Sequence, residues 1–179
     1  MKKIFLPLVF ALFGAICPLF SQTPQFPIVQ GYGGIYEIPD ATERPDPSLE
    51  YNVLIDLSTP GDNPKEISRW VDNIARMMNL HGLAGVPKER LKVKVIVHGG
   101  AIFTLLNDEN YAQRNEVNNP NLPVYEALQQ AGADIMVCGQ SLIVRNLKTS
   151  DLWPEVRVSH SAMTAITTYV PQGYILLKF

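Results

Sequence analysis

Cys138 is the residue in this sequence whose type and position best suit covalent chemistry. It follows the run 133–137, which is apolar apart from Asp134, and precedes Gly139, and a new helix is expected from Gln140. At the carboxyl end of a strand, its thiol would lie beside the unpaired N–H groups of that helix. Such groups stabilise a thiolate and can lower its pKa from about 8.5 toward neutrality. Gly139 would leave room for a donor to approach the backbone. The alternative is a buried cysteine that packs as a small hydrophobic side chain.

His98 is the candidate partner of Cys138, because it ends the preceding strand of the expected sheet. Strand ends converge on one edge, so both side chains would face one crevice, where an imidazolium favours a thiolate. His98 would equally serve to cap the turn before Gly99. Asp56 ends the first strand, and we expect it to cap its turn in preference to lining the crevice. Arg145 lies about 10 Å farther along the helix and is expected to be a solvated or interface charge.

Other chemistries find little support in the sequence. The three histidines are scattered singly, so no metal site is predicted. The loop 58–63 contains Pro60 and Asp62, which disfavour a bound nucleotide phosphate, and no cofactor is predicted. A thioredoxin-like activity lacks a second cysteine to resolve a mixed disulfide. The G-x-S-x-G motif of serine hydrolases is not present.

Residues 1–21 have the pattern of a secretory signal peptide. Lys2 and Lys3 precede the apolar run 4–16, and Ser21 gives a small residue before a cleavage point at Gln22. The run is short for a transmembrane helix, so stable membrane insertion is not predicted. Removal of this segment would leave Cys138 as the single cysteine, in a periplasmic or secreted protein.

Composition limits the partners of the processed chain. Loss of the two leading lysines takes the formal net charge from −2 to −4. A mildly acidic chain without a basic cluster is not expected to bind nucleic acid. Its length suits one domain with a sizeable core.

The remaining sequence divides into an N-terminal arm and a regular domain. Five prolines and several glycines interrupt residues 22–50, whose apolar residues suggest an arm laid along the domain. From residue 51 onward, strands alternate with helices, which indicates an α/β fold with a parallel sheet covered on both faces. The expected strands are 51–57, 91–97, 134–137, 156–158 and 174–177. The expected helices are 64–80, 101–106, 122–131, 140–147 and 161–169, and the polar stretch 107–120 is expected to be irregular, with one helical turn at most.

Three motifs in order resemble the DsrE/DsrF-like family, also called the YchN-like fold. They are Val-His-Gly-Gly at 97–100, Gly-Ala-Asp at 132–134 leading into Val-Cys-Gly-Gln-Ser-Leu at 137–142, and Gly-Tyr-Ile-Leu-Leu at 173–177. The resemblance covers residues 51–179, and the arm 31–39 is similar to one in exported members of that family.

The resemblance implies a three-layer α/β/α domain with a five-stranded, mainly parallel sheet, and a tendency to form homotrimers or homohexamers. It also implies sulfur relay, in which a cysteine matching Cys138 carries sulfane sulfur as a persulfide between a donor and an acceptor. The alternative is a non-catalytic oligomeric binding protein that uses the same crevice. Whether the chain turns over as a sulfurtransferase-like enzyme stays open. The binding residues expected around Cys138 are His98, Gly99, Gly139, Gln140 and Ser141.

Overall fold

The computed structural model describes residues 22–179. The predicted signal segment, residues 1–21, lies outside the described residues. Among the described residues, no helix has the length and apolar character needed to cross a membrane.

The domain is built on five parallel strands in the order β4-β3-β2-β1-β5. Each predicted strand is present within one or two residues, and the predicted three-layer α/β fold is confirmed. The strands are β1 (Tyr51–Leu57), β2 (Leu91–Val97), β3 (Asp134–Cys138), β4 (Arg157–Ser159) and β5 (Ile175–Lys178).

Alternation of side chains along the strands produces two cores of unequal size. In β1, Val53, Ile55 and Leu57 point to the larger core, whereas Leu54 points to the smaller one. Because a parallel sheet is covered on both faces, its central strands are apolar on both sides. The smaller core also contains Cys138.

Helices cover both faces of the sheet. The larger core includes buried residues of α1 (Arg69–Leu83) and α3 (Leu122–Gln130), and the smaller core includes those of α5 (Ala162–Tyr169). The chain steps outward from β1 to β4 and then returns to place β5 beside β1. This reversal is a topological switch point, where α/β proteins bind ligands beyond the carboxyl ends of their strands. The two remaining helices are α2 (Asp108–Asn115) and α4 (Gly139–Val144).

Several helical segments differ from the sequence prediction. The expected helix 101–106 is a 3-10 helix over Gly99–Leu105, and α4 ends at Val144, three residues earlier than expected. Helix α1 begins five residues later than predicted, after Ser68, whose N–H donates to Asn121 Oδ1 at 2.8 Å. It also extends past Gly82, where a Cβ would lie 2.6 Å from Ile28, so the glycine lets the N-terminal arm pack closely against the helix. The predicted irregular stretch 107–120 contains α2, which Asn107 caps by accepting from the N–H of Asn110.

The N-terminal arm, residues 22–50, packs against α1. Val29 and Ile35 are fully or almost fully buried, and Gln25 pairs with Ile35 in an antiparallel bridge. The side chain of Asn79 hydrogen-bonds the arm backbone, and Asp72 accepts from the N–H of Gly33 at 2.8 Å. Polar side chains of α1 therefore satisfy backbone groups that the irregular arm cannot pair internally.

Candidate functional site

Three polar side chains from three neighbouring strands meet at the carboxyl edge of the sheet. Leu57 pairs with Val97, and Val97 pairs with Val137, so His98 and Cys138 occupy matching positions one residue farther on. Adjacent strands are about 4.8 Å apart. Asp56, His98 and Cys138 lie on the face of the sheet covered by α5, and all three line one crevice.

His98 is held by Asp56. The imidazole Nε2 lies 2.5 Å from Asp56 Oδ1, and the N–H of His98 donates to the carbonyl of Leu57 at 2.9 Å. The Asp56 side chain is only 10% exposed, and its other oxygen lies 3.8 Å from Lys178 Nζ. The turn-capping roles considered for His98 and expected for Asp56 are therefore not what the structure shows: the two side chains bind each other.

Cys138 lies at the floor of the crevice with 4% of its surface exposed. It occupies the position before the first turn of α4, as its sequence context predicted. Burial raises the pKa of the Cys138 thiol, but the Ser141 hydroxyl and the backbone N–H groups of Ser141, Ala162 and Gln140 outweigh burial, and the pKa is lowered overall. These groups favour the thiolate of Cys138 over its neutral thiol.

The crevice has a volume of about 440 Å³ and lies between α4 and α5. Gln140, Ser141 and Val144 of α4 line one side, while Met163 and Ile166 of α5 line the other. Val144 and Met163 are 79% and 76% exposed, respectively. Asp56, His98 and Cys138 thus share the crevice with a wall that is largely apolar.

Arg145 also lines the crevice, contrary to its expected place as a remote charge. The expectation assumed a helix continuing to residue 147, but α4 ends at Val144 and Arg145 caps it. Among the described residues, the guanidinium forms no ion pair with a carboxylate, and it lies 6.0 Å from the ring centroid of Phe103. An unpaired cation at the rim is available to an anionic group in the crevice.

The two glycines predicted to bind ligand support the site from outside the crevice. The N–H of Gly99 donates to Ser141 Oγ at 3.3 Å and joins the β2 turn to α4. A Cβ on Gly139 would lie 3.0 Å from the carbonyl oxygen of Ser159. Gly139 therefore allows α4 to pack against the end of β4, and it lines a separate cavity there with Val158. The approach expected for a donor at Gly139 does not lead into the Cys138 crevice.

A metal centre is not indicated by the described residues. Within 22–179, no group of three or more histidine, cysteine, aspartate or glutamate side chains is arranged to hold an ion.

These features define an α/β protein with a single-cysteine site at the carboxyl edge of a parallel sheet. A family model described as the DsrE/DsrF-like family matches residues 52–179. The chain belongs to this family, as its motifs predicted.

A solved structure supports the fold. The protein of unknown function MTH1491 from Methanobacterium thermoautotrophicum is similar to this chain with a TM-score of 0.54 and 17% sequence identity. The similarity covers 73% of this chain and all of that one. No curated protein matches this chain.

Proposed function

We propose that this protein binds sulfane sulfur as a persulfide on Cys138 and passes it to an acceptor. The observation that carries the proposal is the Cys138 thiol, whose pKa is lowered by surrounding N–H and hydroxyl groups at the floor of a crevice. The association of the DsrE/DsrF-like family with sulfur relay supports the same chemistry.

The reaction is a displacement at sulfur. The Cys138 thiolate attacks the outer sulfur of a donor persulfide, so a new S–S bond forms while the donor S–S bond breaks and its inner sulfur leaves as a thiolate. The ionised persulfide on Cys138 is also an anion. The amides of Gln140 and Ser141, which stabilise the thiolate, therefore stabilise the persulfide anion as well. Oxidation states are conserved overall, and no external oxidant is needed.

The proposal includes a location and an assembly. Removal of residues 1–21 would release the chain to the periplasm or the exterior, where the donor and acceptor would be small sulfur compounds or other exported proteins. Homotrimers or homohexamers would cover exposed apolar residues beside the crevice. Those residues are Ile143, Val144, Val158 and Met163, which are 51–79% exposed. Light scattering on the processed chain tests the assembly, and a monomer at micromolar concentration contradicts it.

The same apolar rim supports the second candidate, a non-catalytic oligomeric binding protein. Exposed apolar side chains beside a pocket are typical of surfaces that bind partners. On this reading Cys138 packs within the smaller core without reacting.

Intact-mass measurement separates the two functions. The chain beginning at Gln22 is incubated anaerobically with a polysulfide or an alkyl persulfide, without reductant. Sulfur relay predicts additions equal to whole sulfur atoms, which a thiol acceptor then removes. Cys138→Ser should show no addition, and Ser150→Ala, at an exposed site, should behave as the unchanged chain. Absence of sulfur addition to the folded, unchanged chain contradicts the proposal and favours the binding protein.

A further inference from the structure

The bond between His98 and Asp56 determines which nitrogen of the imidazole carries a fixed proton. Nε2 lies 2.5 Å from Asp56 Oδ1, and an ionised carboxylate can only accept a hydrogen bond. The proton of this bond therefore lies on Nε2. In the neutral ring Nδ1 is then the unprotonated nitrogen, and in the charged ring Nδ1 is the atom that can give a proton away.

The surroundings leave Nδ1 free for this exchange. Within residues 22–179, the His98 ring makes no hydrogen bond other than the one to Asp56. The charged groups facing the pair are Lys178 of β5, 3.8 Å from Asp56 and 72% exposed, and Arg145 at the end of α4. Cys138 faces it from β3, while Ser161, which precedes α5, and apolar side chains of α5 line the other side of the crevice. Nδ1 of His98 is thus a ring nitrogen in the crevice wall that has no hydrogen-bond partner among the described residues.

We propose that His98 gives the proton from Nδ1 to the thiolate that leaves when Cys138 attacks a sulfur–sulfur bond, and that Asp56 is the positioning residue that holds His98 for this transfer. The inference rests on the proposed function. As the Cys138 Sγ–S bond forms, the donor S–S bond breaks and its electron pair stays on the departing sulfur. The His98 imidazolium protonates that sulfur and becomes neutral, and it regains the proton that the acceptor thiol loses when it attacks the Cys138 persulfide and releases the Cys138 thiolate.

A proton donor matters most when the leaving thiolate is strongly basic. Alkyl thiols have pKa values near 8.5 and leave slowly as free thiolates, whereas less basic aromatic thiolates leave readily. General acid catalysis contributes roughly 100-fold or more where it operates. Loss of the proton donor should therefore slow the reaction with an alkyl disulfide far more than the reaction with an aromatic disulfide. A structural defect at Cys138 would slow both reactions.

The test measures the rate of Cys138 with two uncharged disulfides, bis(2-hydroxyethyl) disulfide and 2,2′-dithiodipyridine, at pH 7. Asp56→Asn and His98→Gln should lower the ratio of the alkyl rate to the pyridyl rate by roughly tenfold or more. The matched control is Asp134→Asn, which also removes an ion-paired carboxylate from the same face of the sheet. Asp134 lies at the opposite end of β3 from Cys138 and bonds Lys94 and Arg157. This control should leave the ratio unchanged.

An unchanged ratio in His98→Gln, or a reduction equal to that in Asp134→Asn, overturns the inference. Nitrogen-15 NMR of His98 in the unchanged chain gives a second check that does not depend on a variant folding. The neutral ring should carry its proton on Nε2, and a ring protonated on Nδ1 overturns the inference.

The failures of the two proposals can be told apart. Disulfide exchange does not require sulfane sulfur, so a reduced ratio in a chain that takes up no sulfur defeats only the proposed function. Sulfur uptake with an unchanged ratio defeats only the roles of His98 and Asp56.

Discussion

The side-chain amide of Asn79, which has no exposed surface, hydrogen-bonds both the N–H of Val29, at 2.8 Å, and its carbonyl, at 3.3 Å. The same amide accepts from the N–H of Ile28 and donates to the carbonyls of Tyr32 and Gly33. One residue of α1 therefore satisfies five backbone groups of the N-terminal arm. The arm is part of the folded core at this point, since Val29 is completely buried.

Asn79→Ala is expected to be severely destabilising. It leaves buried backbone groups of the arm without partners, each costing about 1–3 kcal/mol, so we expect a loss of roughly 3–5 kcal/mol in the free energy of unfolding. Urea unfolding measures the change. Asn118→Ala, at an exposed loop position, is the control and should change it by less than about 0.5 kcal/mol. Similar stability in the two variants would show that the arm is not anchored by Asn79.

Gly33→Ala should separate contact with α1 from backbone strain. Gly33 and Gly31 both have left-handed backbone angles, with φ of +61° and +80°. A Cβ at Gly33 would lie 2.1 Å from the N atom of Arg76, whereas a Cβ at Gly31 meets nothing within 4 Å. We expect Gly31→Ala to cost about 1–2 kcal/mol from strain alone, and Gly33→Ala to cost more because the arm must move off α1. Thermal unfolding of both variants makes the comparison, and equal costs would contradict the packing of the arm.

The positions of the strands were predictable because short apolar runs bounded by turn residues are typical of strands in a buried parallel sheet. Val53, Ile55 and Leu57 face one core and Leu54 faces the other, as expected for a short apolar run that forms a strand buried on both faces. Helix α2 was not predictable in this way, because Tyr111 is its only buried residue and no apolar period marks it. Its signal was the capping asparagine, Asn107, followed by two acids in the first turn.

The site was partly predictable for a similar reason. Cys138 and His98 stand at the ends of clear strands, so the parallel sheet alone brings them to one edge. Asp56 was underrated because a lone carboxylate before a turn usually caps it, and its partner 42 residues away is visible only in the fold. Arg145 was misplaced because the early end of α4 after Val144 leaves no mark in residue periodicity.

Ser141→Ala should raise the pKa of Cys138. The Ser141 hydroxyl is the largest of the contributions that lower this pKa against the effect of burial. Hydrogen bonds to charged groups contribute about 1.5–3 kcal/mol, so we expect the midpoint of the alkylation profile to move up by roughly one pH unit. Iodoacetamide alkylation rates between pH 5 and pH 10, followed by intact mass, measure this midpoint. Ser150→Ala should leave it in place, and equal midpoints in both variants would show that the hydroxyl does not stabilise the thiolate.

Cys138→Ser should change how stability depends on pH. The pKa of the native Cys138 thiol lies below the ordinary cysteine value, whereas the unfolded thiol ionises at that ordinary value. Between these two pKa values the unfolded state binds more protons, so the free energy of unfolding of the unchanged chain gains a contribution as pH rises. That contribution is fully present above the unfolded pKa and is lost as pH falls through the native pKa.

Serine does not ionise in this range, so the stability difference between the unchanged chain and Cys138→Ser should grow from acidic pH to about pH 9. Urea unfolding of both proteins under reducing conditions measures the difference. For Cys138→Ala, the stability difference from the unchanged chain should rise with pH by the same amount as for Cys138→Ser, because alanine also lacks an ionising group. A difference that stays flat, or that shrinks as pH rises, would mean that the folded protein does not favour the Cys138 thiolate, and the proposed sulfur chemistry would lose its physical basis.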